Sequence, residues 1–199
     1  MFANLDFRTD VVPFIVATVG EFVALFFWLR HIDNEELLLA NFILWAGFMV
    51  ERVSVVLWMQ YIYRVRAGQP EPPPPIGESI FKLFFFTLSE IIIWVMWALA
   101  AQEINQLVAA ILLFPLLQVQ HAVEMAILKK TNAFLYMTDS NTLFFTLMEV
   151  LGAAGWPYFV RDGNEALGGL ALLIGLSVEH IIQGATLKPE RTTPATSPA

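Results

Sequence analysis

This chain contains no cysteine, which excludes disulfide staples, thiolate metal ligands and cysteine nucleophiles. Charge is scarce as well. Asp, Glu, Lys and Arg make up 15% of its 199 residues, well under the quarter or so carried by a soluble domain. The opening "MFANLDFRTD" has neither a basic stretch nor a small-residue cleavage site, so the first apolar segment reads as a retained span, not a signal peptide. The net charge of −7 offers no basic surface for nucleic acid. Because several of the acids fall inside apolar segments, the total says little else about partners.

Apolar side chains are abundant. They make up 57% of the chain, with 14% aromatic and a mean hydropathy of +0.64. A membrane-crossing helix needs roughly 20 apolar residues. Six segments meet that length: Val11–Leu29, Leu37–Ile62, Ile80–Ala101, Leu107–Leu128, Leu143–Val160 and Ala166–Thr186. They leave almost no room for a separate soluble domain. The expected fold is an all-α polytopic membrane protein with six transmembrane helices, and its first partner is the lipid bilayer. Lys and Arg collect on the cytoplasmic side of membrane proteins. Arg8, Arg64, Arg66, Lys82, Lys129, Lys130, Lys188 and Arg191 fall on one side, and only Arg30 and Arg161 on the other. Both termini are therefore expected in the cytoplasm, and the membrane is expected to be the plasma (inner) membrane.

The phrase "FFTLSEIIIWVMW" at Phe85–Trp97 returns as "FFTLMEVLGAAGW" at Phe144–Trp156, and a third version, "ATVGEFVALFFW", surrounds Glu21. Thr18, Thr87 and Thr146 precede Glu21, Glu90 and Glu149 by three residues, and Trp28, Trp97 and Trp156 follow them by seven. Thirty residues after each glutamate comes a matched triplet: Val50-Glu51-Arg52, Val119-Gln120-His121 and Val178-Glu179-His180. Leu and Phe match by chance in apolar helices, but Thr, Glu, Trp and a Glu/Gln–Arg/His pair at fixed offsets do not do so readily. The pattern predicts one membrane domain, 1–199, built from three repeated helical hairpins, 11–63, 79–130 and 139–187. A polyproline linker at 67–77 and a tail at 188–199 of disordered-type composition complete it. Hairpins repeated in one orientation are related by an axis along the membrane normal, so the repeat predicts a pseudo-threefold axis on which the polar positions converge.

That convergence places Glu21, Glu51, Glu90, Glu149, Glu179, Gln120, His121, His180 and Arg52 in one buried layer, with Glu124 one helical turn from His121. A carboxylate at the bilayer centre costs roughly 2.5–3.5 kcal/mol on the lenient insertion scale. Five facing lipid would cost on the order of 12–18 kcal/mol, so they must face inward and be protonated, paired or metal-bound. Arg52, in the slot that is His in the other copies, neutralises one, and its partner is expected on another helix because adjacent helical residues diverge. About four negative charges and two imidazoles then remain, an inventory that suits two divalent cations. Carboxylate plus imidazole without sulfur favours Fe, with Mn or Zn as alternatives, and four Glu with two His is the ligand set of carboxylate-bridged dinuclear sites in helix bundles. Here Glu21, Glu90, Glu149, Glu179, His121 and His180 are the expected metal ligands. Glu51 or Glu124 would shuttle protons, and Arg52 would hold a carboxylate or an anionic group of a lipid-soluble substrate. The threonines would orient the glutamates or bond back to their own helix.

The leading expectation is thus a dinuclear, iron-type oxidoreductase acting on a lipid-soluble molecule. The same acids could instead form a proton or divalent-cation pathway, or a polar network that only holds helices together. His121 and His180 could also ligate one haem b iron from opposite sides. A chain this small with short loops could further be an accessory subunit with partners in a larger membrane complex. The three tryptophans are expected in an outer interfacial belt, Gly152, Gly155, Gly168 and Gly169 at close helix contacts, and His31 in a solvated loop.

Overall fold

The structure, a computed structural model, describes residues 12–31, 37–65 and 76–187. Seven helices account for nearly all of them: α1 (Val12–His31), α2 (Leu37–Val65), α3 (Ile76–Glu103), α4 (Gln106–Lys129), the short α5 (Phe134–Met137), α6 (Ser140–Arg161) and α7 (Glu165–Leu187). Six of these, all but α5, are long and apolar enough to cross a membrane, which makes this an integral membrane protein of the all-α class. Residues 67–75 of the expected polyproline linker, the tail 188–199, and the acidic loop that follows His31 lie outside the described residues. The linker's last two residues, Ile76 and Gly77, belong to the first turn of α3, because proline-free sequence resumes there and the helix extends back to meet it. His31 closes α1, its ring bonded to the Phe27 carbonyl at 2.7 Å, and so does not lie in a loop.

Local chemistry sets the helix ends. Asn105 sits in an extended conformation before α4 and accepts a hydrogen bond from the Leu107 N–H. Asp139 does the same for Thr142 at the start of α6. Both satisfy amides that have no partner within the helix. Between α6 and α7 the chain turns through Gly163 at φ 76°, a left-handed conformation that costs glycine nothing. Asn164 then accepts from the Leu167 N–H.

The long helices pack in chain order, α1 on α2, α2 on α3, α3 on α4, α4 on α6 and α6 on α7, and α7 returns to α1. They therefore close a ring. Its outer surface is apolar and exposed, with Val19, Phe42, Phe85, Ile92, Ile111, Leu151 and Ile174 pointing outward, as lipid contact requires. Within the ring two apolar clusters stand at different levels. One joins Leu25, Trp28, Leu44, Trp94, Leu113 and Leu172. The other joins Phe14, Val56, Met59, Leu83, Leu128, Phe145 and Leu187. On every long helix buried polar residues lie between these levels: Thr18 and Glu21, Glu51 and Arg52, Thr87 and Glu90, Gln120, His121 and Glu124, Thr146 and Glu149, and Glu179, His180 and Gln183. A polar layer is thus held between two apolar floors.

Missing side chains bring the helices close enough for that layer to meet. A Cβ on Gly175 would sit 2.6 Å from the Met148 carbonyl across the α6–α7 contact, and one on Gly47 would sit 2.1 Å from the Ala24 Cβ across α1–α2. Gly152, Gly155, Gly168 and Gly169 likewise face close neighbours, as expected of small residues between membrane helices.

The tryptophans depart from the expected outer belt. Trp28, Trp97 and Trp156 are all buried, and the Trp28 indole N–H donates to Asn41 Oδ1 at 2.8 Å inside the ring. The reason is helical phase. Seven residues are two turns, so each tryptophan lies on the same face as its glutamate and turns inward with it.

Candidate functional site

Each of the nine residues singled out for chemistry, Glu21, Glu51, Arg52, Glu90, His121, Glu124, Glu149, Glu179 and His180, is at most 4% exposed. The long helices bring them together in the central layer.

His121 projects from α4 between α6 and α7. Its Nε2 lies 3.2 Å from Glu149 Oε2 and 3.7 Å from Glu179 Oε1. Its Nδ1 lies 2.8 Å from Thr146 Oγ1. That hydroxyl donates its one proton to the Thr142 carbonyl at 2.8 Å, so towards the imidazole it can only accept. Nδ1 therefore carries the hydrogen, and in the neutral ring Nε2 presents a lone pair to the two glutamates. His180 on α7 repeats the arrangement. Its Nδ1 lies 2.9 Å from the Leu176 carbonyl, an obligate acceptor, with Thr18 Oγ1 at 3.2 Å. Its Nε2 has no hydrogen-bond partner, and stands 3.4 Å from Glu21 Oε2 and 3.8 Å from Glu51 Oε1. Thr18 and Thr146 thus face the imidazoles and not the glutamates, while Thr87 and Thr146 bond back to their own helices, the other arrangement expected of them. Thr18 and Thr146 each belong to a neighbouring helix whose glutamate faces the same histidine from one turn away.

Arg52 on α2 makes the corresponding reach to α3. Its Nη2 is hydrogen-bonded to Glu90 Oε2, a partner on another helix as anticipated. Its Nη1 also donates to the adjacent Glu51 at 3.0 Å, a contact that the divergence of neighbouring helical residues argued against. The forked guanidinium spans directions that a shorter side chain cannot. Glu124 Oε2 lies 3.7 Å from the same Nη2, and Glu124 takes a further hydrogen bond from Gln183.

Among the described residues, three trios offer ligand atoms within 4.8 Å of one another: His180 with Glu21 and Glu179, His121 with Glu149 and Glu179, and Glu21 with Glu90 and Glu149. The trios share members. Glu179 belongs to both that contain histidine, and Glu21 and Glu149 each link one of those to the third.

Two donors bound about 2.0–2.2 Å from one ion, at angles between square and tetrahedral, lie roughly 2.9–3.5 Å apart. The His121–Glu149 and His180–Glu21 separations of 3.2 and 3.4 Å fall in that range. A charge-assisted N–H···O hydrogen bond would be nearer 2.7–2.9 Å. The layer also holds buried polar atoms with no hydrogen-bond partner among the described residues: Glu149 Oε2, Glu179 Oε2, His180 Nε2 and Glu124 Oε1. Such atoms cost on the order of 1–3 kcal/mol each, and more if charged. The donor set fits divalent cations on spacing, chemistry and need.

Sequence reasoning missed two polar contacts around this layer. Gln118 donates to the Tyr136 and Met137 carbonyls at 3.0 and 3.1 Å, fastening α5 to α4. Gln183 matters as the partner of Glu124; its position one turn beyond His180, on the same helical face, was the signal.

No family model, curated protein or solved structure matches this chain, so the geometry carries the functional reading.

Proposed function

We propose that this protein is a membrane-embedded metalloprotein with a dinuclear, iron-type centre, and that it is an oxidoreductase acting on a lipid-soluble substrate. His121 and Glu149 would hold one ion and His180 and Glu21 the other, with Glu179 bridging them. The single observation that carries the reading is the placement of both imidazoles, with Nδ1 2.8 Å from Thr146 Oγ1 in one and 2.9 Å from the Leu176 carbonyl in the other. With the hydrogen on Nδ1, each Nε2 lone pair faces carboxylates that cannot donate when ionised. A cation between them resolves the conflict. Carboxylate and imidazole donors without sulfur suit Fe, Mn or Zn; redox chemistry leaves Fe and Mn, and Fe is the leading choice.

The chain's own residues supply the surroundings. Three protein ligands per ion, counting Glu179 for both, would leave coordination positions open. When bound, the pair would supply one-electron chemistry and Lewis acidity at those positions. Six buried carboxylates in the layer face one guanidinium, so two divalent ions leave a single negative charge. One proton on Glu51 or Glu124 balances it, which suits either residue to carry protons to and from the site. The exposed apolar ring surface is what a lipid-soluble reactant would meet first from the bilayer.

The three-hairpin repeat belongs to this proposal. Each residue of the Arg52, His121 and His180 set contacts the glutamate of the next hairpin, Arg52 to Glu90, His121 to Glu149 and His180 to Glu21. This cyclic order supports a pseudo-threefold axis through the layer. The Lys/Arg distribution in the sequence supports cytoplasmic termini in a plasma (inner) membrane.

The test is the metal-to-protein ratio by elemental mass spectrometry, on protein purified in mild detergent without nickel affinity. About two Fe, Mn or Zn per chain is expected, and the double variant His121→Ala/His180→Ala should retain none. A metal-free wild-type protein would refute the centre.

A second reading has its own observation. The partnerless Glu124 Oε1 and Gln183 Oε1 continue the polar layer one turn further along α4 and α7, as a proton or divalent-cation pathway would require. In liposomes that reading predicts flux that Glu124→Gln abolishes, with no stoichiometric metal to lose.

A further inference from the structure

Arg52 occupies, on α2, the place that His121 holds on α4 and His180 on α7, thirty-one residues after Glu21, Glu90 and Glu149 respectively. The contacts follow the same order. Where each imidazole faces the glutamate of the following hairpin, the Arg52 guanidinium is hydrogen-bonded to Glu90. The trio beside it, Glu21, Glu90 and Glu149, is the one without a histidine.

Thr87 adds an independent observation. It is fully buried and sits one turn before Glu90, as Thr146 sits before Glu149. Its hydroxyl donates to the Leu83 carbonyl at 2.7 Å, matching the bond from Thr146 to the Thr142 carbonyl. On α2 the Thr87 hydroxyl faces the Met49 sulfur at 3.7 Å, where Thr146 faces the His121 ring. A threonine bonded back to its own helix is thus present at this third position, and the α2 residue in the histidine's sequence slot is Arg52.

We propose that the layer is a three-cation site in which Arg52 is a permanently installed third cation, so that this residue limits the centre to two divalent metal ions. The guanidinium is always protonated and satisfies Glu90 as a metal ion would, without open coordination positions. It also contacts Glu51 directly and lies near Glu124. The inference rests on the dinuclear reading above and adds a residue that sets nuclearity. It further assigns Glu90, expected among the metal ligands, to Arg52.

The test is reconstitution of the full chain in detergent with Fe(II) under anaerobic conditions, followed by elemental analysis and a binding titration. Helical content by circular dichroism serves as a folding control. Wild type should take up about two Fe(II) and Arg52→His about three, a 1.5-fold rise. A folded Arg52→His protein that still binds two, with wild type also at two, overturns the third-cation assignment and leaves the dinuclear reading standing. Wild type binding none overturns both.

Because Arg52→His could fail to fold, the threonines provide a second measurement in near-isosteric variants. Thr146→Val and Thr18→Val release an imidazole that binds metal, so Fe(II) affinity should fall about 10–100-fold. Thr87→Val removes a hydroxyl whose partners are the Leu83 carbonyl and the Met49 sulfur, not an imidazole, and should leave affinity within about twofold. A Thr87→Val loss equal to the other two would mean that Glu90 and its neighbours bind metal directly, and would defeat the proposal.

Discussion

A single hydroxyl proton decides what His121 offers to the protein interior. Thr146 gives that proton to the Thr142 carbonyl, and everything that follows at Nε2 is a consequence. Residue-scale predictions turn on such pairings. Arg52→Met removes the one guanidinium and leaves Glu90 and Glu51 buried without it, a loss that costs about 3–5 kcal/mol when one partner of a buried ion pair is deleted. Thermal unfolding in detergent should show a large drop in midpoint. Adding Glu90→Gln to that variant should restore part of it, and the absence of any recovery would show that Glu90 is not the guanidinium's main partner. The identity of these residues was legible in the sequence, because Thr, Glu and Trp at fixed offsets stand out against Leu and Phe. Their pairing was not. That Thr146 serves His121 rather than Glu149 depends on which helix lies alongside, and no spacing within one helix contains that information.

At the scale of elements, the spans were legible for a simple reason. A run of about 20 apolar residues is long enough to cross a bilayer, and little in a water-soluble protein imitates it. The four residues of α5 carry no such signal, and Phe134–Met137 becomes helical in company with Gln118, which holds its carbonyls. The misplacement of Trp28, Trp97 and Trp156 has the opposite origin. Residue type argued for an interface and helical phase argued for the interior, and phase won because each tryptophan is locked to its glutamate's face. The hairpin contacts yield a prediction of their own. Gly175→Val would drive side-chain carbon into the Met148 carbonyl and the Gly152 backbone, forcing α7 away from α6. Overpacking of this kind costs about 1–3 kcal/mol or more. It should also lower Fe(II) affinity, although Gly175 is no ligand, because His121 and Glu149 on one side and Glu179 on the other no longer meet. Unchanged affinity in a destabilised Gly175→Val protein would show that the centre does not depend on this contact.

The whole molecule is a ring of apolar helices around a charged layer, and its stability should depend on what that layer holds. An ion that binds only the folded chain stabilises it by about 2.7 kcal/mol at a hundred times its dissociation constant. Stripping metal with a chelator should therefore lower the unfolding midpoint of wild type, while the His121→Ala/His180→Ala protein should not respond. Equal responses in the two would place the chelator's effect elsewhere.

The closure of the ring by α1 and α7 also has a consequence in time. Glu21 is made early and enters the bilayer with the first helix, whereas its facing histidine arrives only with the last. The Thr18–His180 contact spans 162 residues of chain. At synthesis rates of roughly 5–20 residues per second, Glu21 waits several seconds or longer without that partner. A ribosome halted before α7 would leave a chain with five spans and an open seam. The proposed centre would capture metal only after synthesis is nearly complete, and its maturation would be coupled to the arrival of the final helix.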